Sequence, residues 1–165
     1  MQSIELIRTN LNNSTTRVLA RIEEMREHCM VPPTAQGGGH TLWVLGHLAY
    51  IEALVVHVFM SAQPNPLAHW DTLFDGDLIS VDPKDYPPFE QVVATCWEQR
   101  AGTLALLDTL GEDDLDQPVA SVPAGYDEFF GTRRRCLQYL ADHWYMHRGQ
   151  LADARRSAGI ERMWV

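Results

Sequence analysis

Apolar residues recur at helical intervals along most of the chain. Ile4, Ile7, Leu11, Val18, Ile22 and Met25 fall three, four or seven positions apart, the spacing that lines one side of an α-helix. They predict a first helix ending before Pro32-Pro33, since proline cannot continue one. The stretch from about Thr41 to Met60 is apolar on most faces, as expected of a helix at the centre of a bundle or shared with a second subunit. It has nearly the length of a membrane span, but His47, Glu52 and His57 interrupt it. Ionisable groups are costly inside a bilayer, so it reads as a core helix. A third helix is predicted from Phe89 to Leu110, closed by Gly111, with Val92, Val93, Cys96, Trp97, Leu104 and Leu107 inward. Thr132 is a suitable N-cap for a fourth, which runs to about Ser157 before Gly159, where glycine favours a helix stop.

The links differ in character. Residues 61–88 carry Pro64, Pro66, Pro83, Pro87, Pro88 and the turn Asp75-Gly76-Asp77. They predict a long crossover of little regular structure, a kind of loop that often walls a functional site. A second irregular link holds Pro118, Pro123 and Gly125-Tyr126. Gly37-Gly38-Gly39 has no following Lys-Ser/Thr and no preceding strand, so it reads as a hinge before the second helix rather than a phosphate cradle. Four long helices with these links make an all-α four-helix bundle. At 165 residues the expectation is one domain over residues 1–165.

Charge narrows the partners. With 13 basic and 22 acidic residues the formal net charge is −9, which disfavours nucleic-acid backbones despite Arg133-Arg134-Arg135, read as a solvated helix start. Cys29, Cys96 and Cys136 are odd in number and widely spaced. They form no disulfide framework or zinc spacing and suit small buried hydrophobes in a reducing cytoplasm. No basic segment leading into an apolar core opens the chain, so neither a signal peptide nor a membrane location is expected.

The chemistry concentrates in Asp142-His143-Trp144-Tyr145-Met146-His147-Arg148-Gly149-Gln150-Leu151. Residues four apart project from one helix face about 6 Å apart at Cβ, a span that one transition-metal ion can bridge. Cys136, seven residues before His143, lies about 10.5 Å away along the axis and cannot share that ion. A third ligand must come from another helix. His47 is the better candidate, amid Trp43, Val44, Tyr50, Ile51 and Leu54, with Gly46 permitting close helix approach; His57 is its rival. His40 and His69 read as loop residues. Glu52 lies about 140° round the helix from His47 and reads as an arginine's partner or as a support to the site, not a ligand. Asp142 is expected to face away, Arg148 to pair with a carboxylate or an acidic substrate, and Gly149 to mark a tight helix contact. Tyr50, Trp43 and Trp144 read as core or pocket wall.

Gly46-His47-Leu48-Ala49-Tyr50-Ile51-Glu52 followed by His143-x3-His147-Arg148-Gly149-Gln150-Leu151 resembles the DinB/YfiT-like family over essentially the whole chain. The resemblance implies an antiparallel four-helix bundle with long crossover connections, and one divalent metal ion held by His47, His143 and His147. Many relatives carry a further histidine just before the last ligand. Met146 stands there in this chain, which removes a nearby base and leaves the triad whole.

Three neutral imidazoles leave an ion its full charge and an open position, the arrangement of catalytic rather than structural sites. Nickel, zinc and iron all suit imidazole. Relatives include thiol-cofactor-dependent transferases and isomerases, and proteins described as hydrolases. The resemblance thus implies a metal-dependent enzyme acting on a small molecule, by thiol transfer with a low-molecular-weight thiol or by hydrolysis. The alternatives are a non-catalytic, stress-associated dimeric metal binder, and a bundle whose histidines never meet metal. The apolar second helix and the resemblance both lead to an expected homodimer. No catalytic side chain beyond the triad is assigned from sequence.

Overall fold

The computed structural model describes residues 2–76 and 78–161. Four long helices carry it: α1 (Ser3–Leu19), α2 (Thr41–Ala53), α3 (Phe89–Asp108) and α4 (Arg133–Ser157), with no β-strand among the described residues. The all-α expectation holds. α1 lies along α4, α2 along α3, and α2 and α4 meet across the middle.

The first helix is shorter than its apolar spacing predicts. It stops at Leu19, Arg21 takes a left-handed φ of 56°, and a 3-10 segment covers Ile22–His28. Ile22 and Met25 still reach the core, so the periodicity reported burial correctly and continuity wrongly. The break has a cause across the bundle. It presents the Arg21 carbonyl and the Glu24 carboxylate to Arg155 of α4, which donates to them at 3.3 and 2.7 Å. At the other end, the Glu112 carboxylate accepts from the Ser3 and Ile4 N–H groups at 3.0 and 3.1 Å, satisfying donors that a helix start leaves free.

α2 begins at Thr41 as expected, and Gly37 and Gly38, at φ 102° and 106°, turn the chain into it. Its cap corrects a reading. His40 is buried, not a loose loop residue: its Nδ1 accepts from the Trp43 N–H at 3.1 Å and its Nε2–H donates to the Ser80 carbonyl at 3.1 Å. After Ala53 the helix widens into a π turn, Leu54–Phe59. Ten of the 13 residues of α2 are buried, so its apolarity does not by itself require a second subunit. Thr41–Phe59 is long and apolar enough to cross a membrane by length and composition, and 67% of that stretch is buried within the fold.

α3 ends near its predicted position, but Gly111 sits at φ −90° and opens the 3-10 turn Glu112–Asp116 rather than closing the helix. Trp97, expected inward, is half exposed, while Val92, Val93, Cys96 and Leu107 are buried. α4 matches its predicted limits, with the Thr132 hydroxyl accepting from the Arg135 N–H at 3.3 Å and Gly159 left-handed at φ 72°. Arg134 at its start pairs with Asp116. Gly149 corrects another expectation. A β-carbon there would meet nothing within 4 Å, so no close helix approach explains that glycine.

The crossover contains short helical turns at Ala68–Trp70, Asp71–Phe74 and Pro83–Asp85. Gly46 of α2 receives the Phe74 ring so closely that any β-carbon would overlap it. The close approach that Gly46 permits is therefore by the crossover. Tyr50, one turn further along α2, donates its hydroxyl to the Asp71 carboxylate. These two contacts seat the Asp71–Phe74 turn beside His47.

All four long helices meet at one charged side chain. Arg100 of α3 donates from Nε and Nη2 to the two Glu52 oxygens at 2.7 and 2.9 Å. It also reaches the Leu11 carbonyl and the Ser14 hydroxyl on α1, at 2.8 and 3.1 Å, and the Leu140 carbonyl on α4 at 3.4 Å. Its guanidinium lies 4.1 Å over the Trp144 ring. Glu52 is thus an arginine's partner, fully buried.

Candidate metal centre

α2 and α4 bring His47, His143 and His147 to one point. The His143 Nε2 lies 3.2 Å from the His47 Nε2 and 3.1 Å from the His147 Nε2. No other group of three potential ligands clusters in this way among the described residues. His57 stays apart, on the wall of a separate cavity with Glu52, Ser61 and Gln63, and His69 is exposed.

The outward nitrogens fix the inward ones. The His47 Nδ1–H donates to the Phe74 carbonyl at 2.7 Å, and the His147 Nδ1–H donates to the Gln150 side-chain oxygen at 2.7 Å. With Nδ1 protonated, each Nε2 of a neutral ring carries a lone pair directed at the shared point. This is the support that ligating histidines usually receive. The His143 Nδ1 is buried without a partner among the described residues; its ring is held by stacking on Tyr139, centroids 5.3 Å apart at 15°. Trp43 stacks on His47 at 4.8 Å and 9°.

The donor set fits a transition-metal ion. Nitrogens about 2.1 Å from one ion stand about 3.0–3.4 Å apart at octahedral or tetrahedral angles; the two separations from the His143 Nε2 fall in that range, and the three nitrogens all lie within 4.8 Å of one another. An ion at their centre would satisfy all three Nε2 lone pairs together. Burial also keeps the rings in the neutral form that ligates. Desolvation, then the neighbouring imidazoles, push His143 down to about 2. The same causes push His147 down to about 4, and desolvation lowers His47.

These shifts make acid destabilising for the metal-free chain. Each folded-state value lies below the ordinary 6.5, so on acidification the unfolded chain takes up protons that the folded chain refuses. Stability is full well above pH 6.5 and drains as pH falls, down to about 4 for His147 and about 2 for His143, by about 2 kcal/mol for each of the two at pH 5. Chemical denaturation of metal-free protein at pH 7 and pH 5 should show this loss. It should shrink when His143 and His147 are both replaced by leucine; an equal loss in that variant would place the proton uptake elsewhere.

The cysteines offer no nucleophile. Cys96 and Cys136 are buried and Cys29 is half-buried; the Cys96 thiol donates to the Leu45 carbonyl at 2.9 Å and burial raises its pKa, burial pushes Cys136 up to about 12, and burial raises Cys29 as well. Asp142 is exposed, as expected. Arg148 is not in an ion pair among the described residues, and its Nε is buried without a hydrogen-bond partner, which departs from the pairing expected of it.

Sequence reading missed three contributors. Gln150 was legible, because it stands three residues beyond His147 and shares its side of the helix. Phe74 acts through a backbone carbonyl, which no residue type announces. Asp75, whose Oδ1 is 3.8 Å from the His47 Nδ1, lies in the crossover, and its place depends on how that segment folds back.

The sequence model of the DinB superfamily matches residues 10–151, and the chain belongs to that superfamily. No curated protein and no solved structure matches the chain.

Proposed function

We propose that the chain is a metal-dependent enzyme acting on a small molecule, by thiol transfer or hydrolysis at a divalent ion held by His47, His143 and His147. The observation that carries this reading is the convergence of three Nε2 atoms with the far nitrogens of two rings already committed to Phe74 and Gln150. Three protein ligands leave room for a reactant, which a purely structural site does not need. When bound, the ion supplies a positive centre that lowers the pKa of a thiol or water within reach.

The chain's own residues do the rest. The Phe74 carbonyl and Gln150 hold two rings in one tautomer and orientation, so that no reorganisation is needed when a reactant arrives. Trp43 and Tyr139 stack on His47 and His143 and help hold the two rings in place. Since the buried cysteines are held as thiols, a reacting thiol comes from outside as a co-substrate.

One omission experiment separates the chemistries. Thiol transfer to an electrophile should require both metal and added thiol, vanish in His143→Ala, and speed up as pH rises and the thiol ionises. Hydrolysis should persist when the thiol is left out. Absence of both reactions across a broad electrophile and ester panel, with metal bound, would instead identify a passive metal binder. Self-association is a separate expectation, which light scattering tests by a mass near twice that of the chain.

A further inference from the structure

A cavity of about 280 Å³ stands beside the triad. Its walls include Ile51 and Tyr139. Ile51 is four residues after His47 on α2, and Tyr139 four residues before His143 on α4. Four residues are one helical turn, so both helices carry this cavity one turn from the metal-ligating positions, on the same side. Asp75, 3.8 Å from the His47 ring, and Tyr126 complete its polar wall. Ile51, Leu54, Val55, Phe59, Pro123 and Phe130 make the remainder apolar. The π turn supplies three of these, Leu54, Val55 and Phe59; such widened turns often occur at functional sites.

We propose that this cavity receives the substrate's apolar group, of about one ring in size, and that Asp75 accepts a hydrogen bond from a donor on its polar end, so selecting a small, amphipathic molecule. The inference rests on the enzymatic reading of the triad and adds the substrate class to it. The volume lies just below the range for drug-sized ligands, and the lining joins a continuous apolar wall to one carboxylate and two phenols. Asp75 and Tyr139 stand on the wall toward the histidines, because Asp75 lies against His47 and Tyr139 is stacked on His143. A bound molecule thus has its apolar part away from the triad and its polar end beside it.

The test uses benzamide and acetophenone, which match in shape but differ in that only benzamide donates a hydrogen bond. Binding to the full-length, metal-loaded protein is followed by NMR titration, without turnover. Benzamide should bind in about the millimolar range expected of so small a ligand. Leu54→Trp, at a partly exposed wall position, should weaken both probes at least about tenfold by filling the cavity. Asp75→Ala should lower the ratio of benzamide to acetophenone affinity at least about fivefold, the coupling signature of a lost acceptor. Acetophenone binding reports whether the variant cavity is intact. No benzamide binding, unchanged binding in Leu54→Trp, or an unchanged ratio in Asp75→Ala would overturn the proposal. Probe binding without turnover of any panel compound would defeat only the enzymatic reading. Turnover untouched by Leu54→Trp would defeat only the cavity assignment.

Discussion

Replacing His147 with alanine should cut the chain's affinity for zinc or nickel by several orders of magnitude. A zinc site of four ligands is worth about 10–16 kcal/mol, so one ligand carries about 2.5–4 kcal/mol, or roughly two to three orders of magnitude. His143→Ala and His47→Ala should fall in the same class, because each removes one of three converging Nε2 atoms. Gln150→Ala should lose less, about 10–100-fold, since it frees the His147 ring to rotate without removing a donor. His57→Ala should change little, as that ring faces another cavity. Competition against a chelator of known affinity reads all five variants. Equal losses at His57 and His47, or one ion per chain retained without His147, would reject this ligand set.

Much of that site was legible before any geometry, for an identifiable reason. His143 and His147 are set by one helix, and a four-residue spacing fixes their relation locally. His47 could be chosen over His57 because its neighbours, Gly46 and Tyr50 among them, formed part of a recognisable pattern. Periodicity alone left both in play. The helix limits at Thr132 and Gly159 were readable from a cap and a stop, which are local as well. What sequence did not reveal is set by tertiary contact. α1 breaks at Arg21 because Arg155, far along the chain, takes its carbonyl. Gly46 reads as room for a helix, yet the room is filled by Phe74, which thereby brings its carbonyl to His47. Trp97 fits the inner stripe of α3 and is still half exposed, as a stripe wider than the actual contact permits.

The triad is therefore mounted on two separate supports. One is the crossover, seated by Gly46 and Tyr50, which orients His47. The other is the bundle interior, where Arg100 ties α2 to α4 just beneath the ligand positions. Glu52 is five residues from His47 on α2, and Leu140 and Trp144 flank His143 on α4. Disturbing Arg100 acts on the distance between the two helices that must converge, without touching a histidine.

Breaking that pair should unfold the protein at a markedly lower temperature. Arg100 and Glu52 are 1% and 0% exposed, so removing either leaves an uncompensated charge in the interior, at a cost of about 3–5 kcal/mol. For a domain of this size that corresponds to a fall in Tm of about 10 °C. Glu52→Ala also strips Thr103 of the carboxylate it donates to at 2.6 Å, leaving its hydroxyl only the Gln99 carbonyl at 3.2 Å. Arg100→Met leaves Glu52 with Thr103 alone, and exposes the Trp144 face to a weaker partner than a cation. The double variant, Glu52→Leu with Arg100→Met, should be less damaged than either single one, because no buried charge survives and a buried ion pair is often replaceable by packed apolar groups. Thermal unfolding of the three variants measures this directly. Singles within about 3 °C of the parent would show that the pair contributes little, and a double variant worse than both would show that the hydrogen bonds to Leu11, Ser14 and Leu140, rather than charge pairing, hold the four helices together.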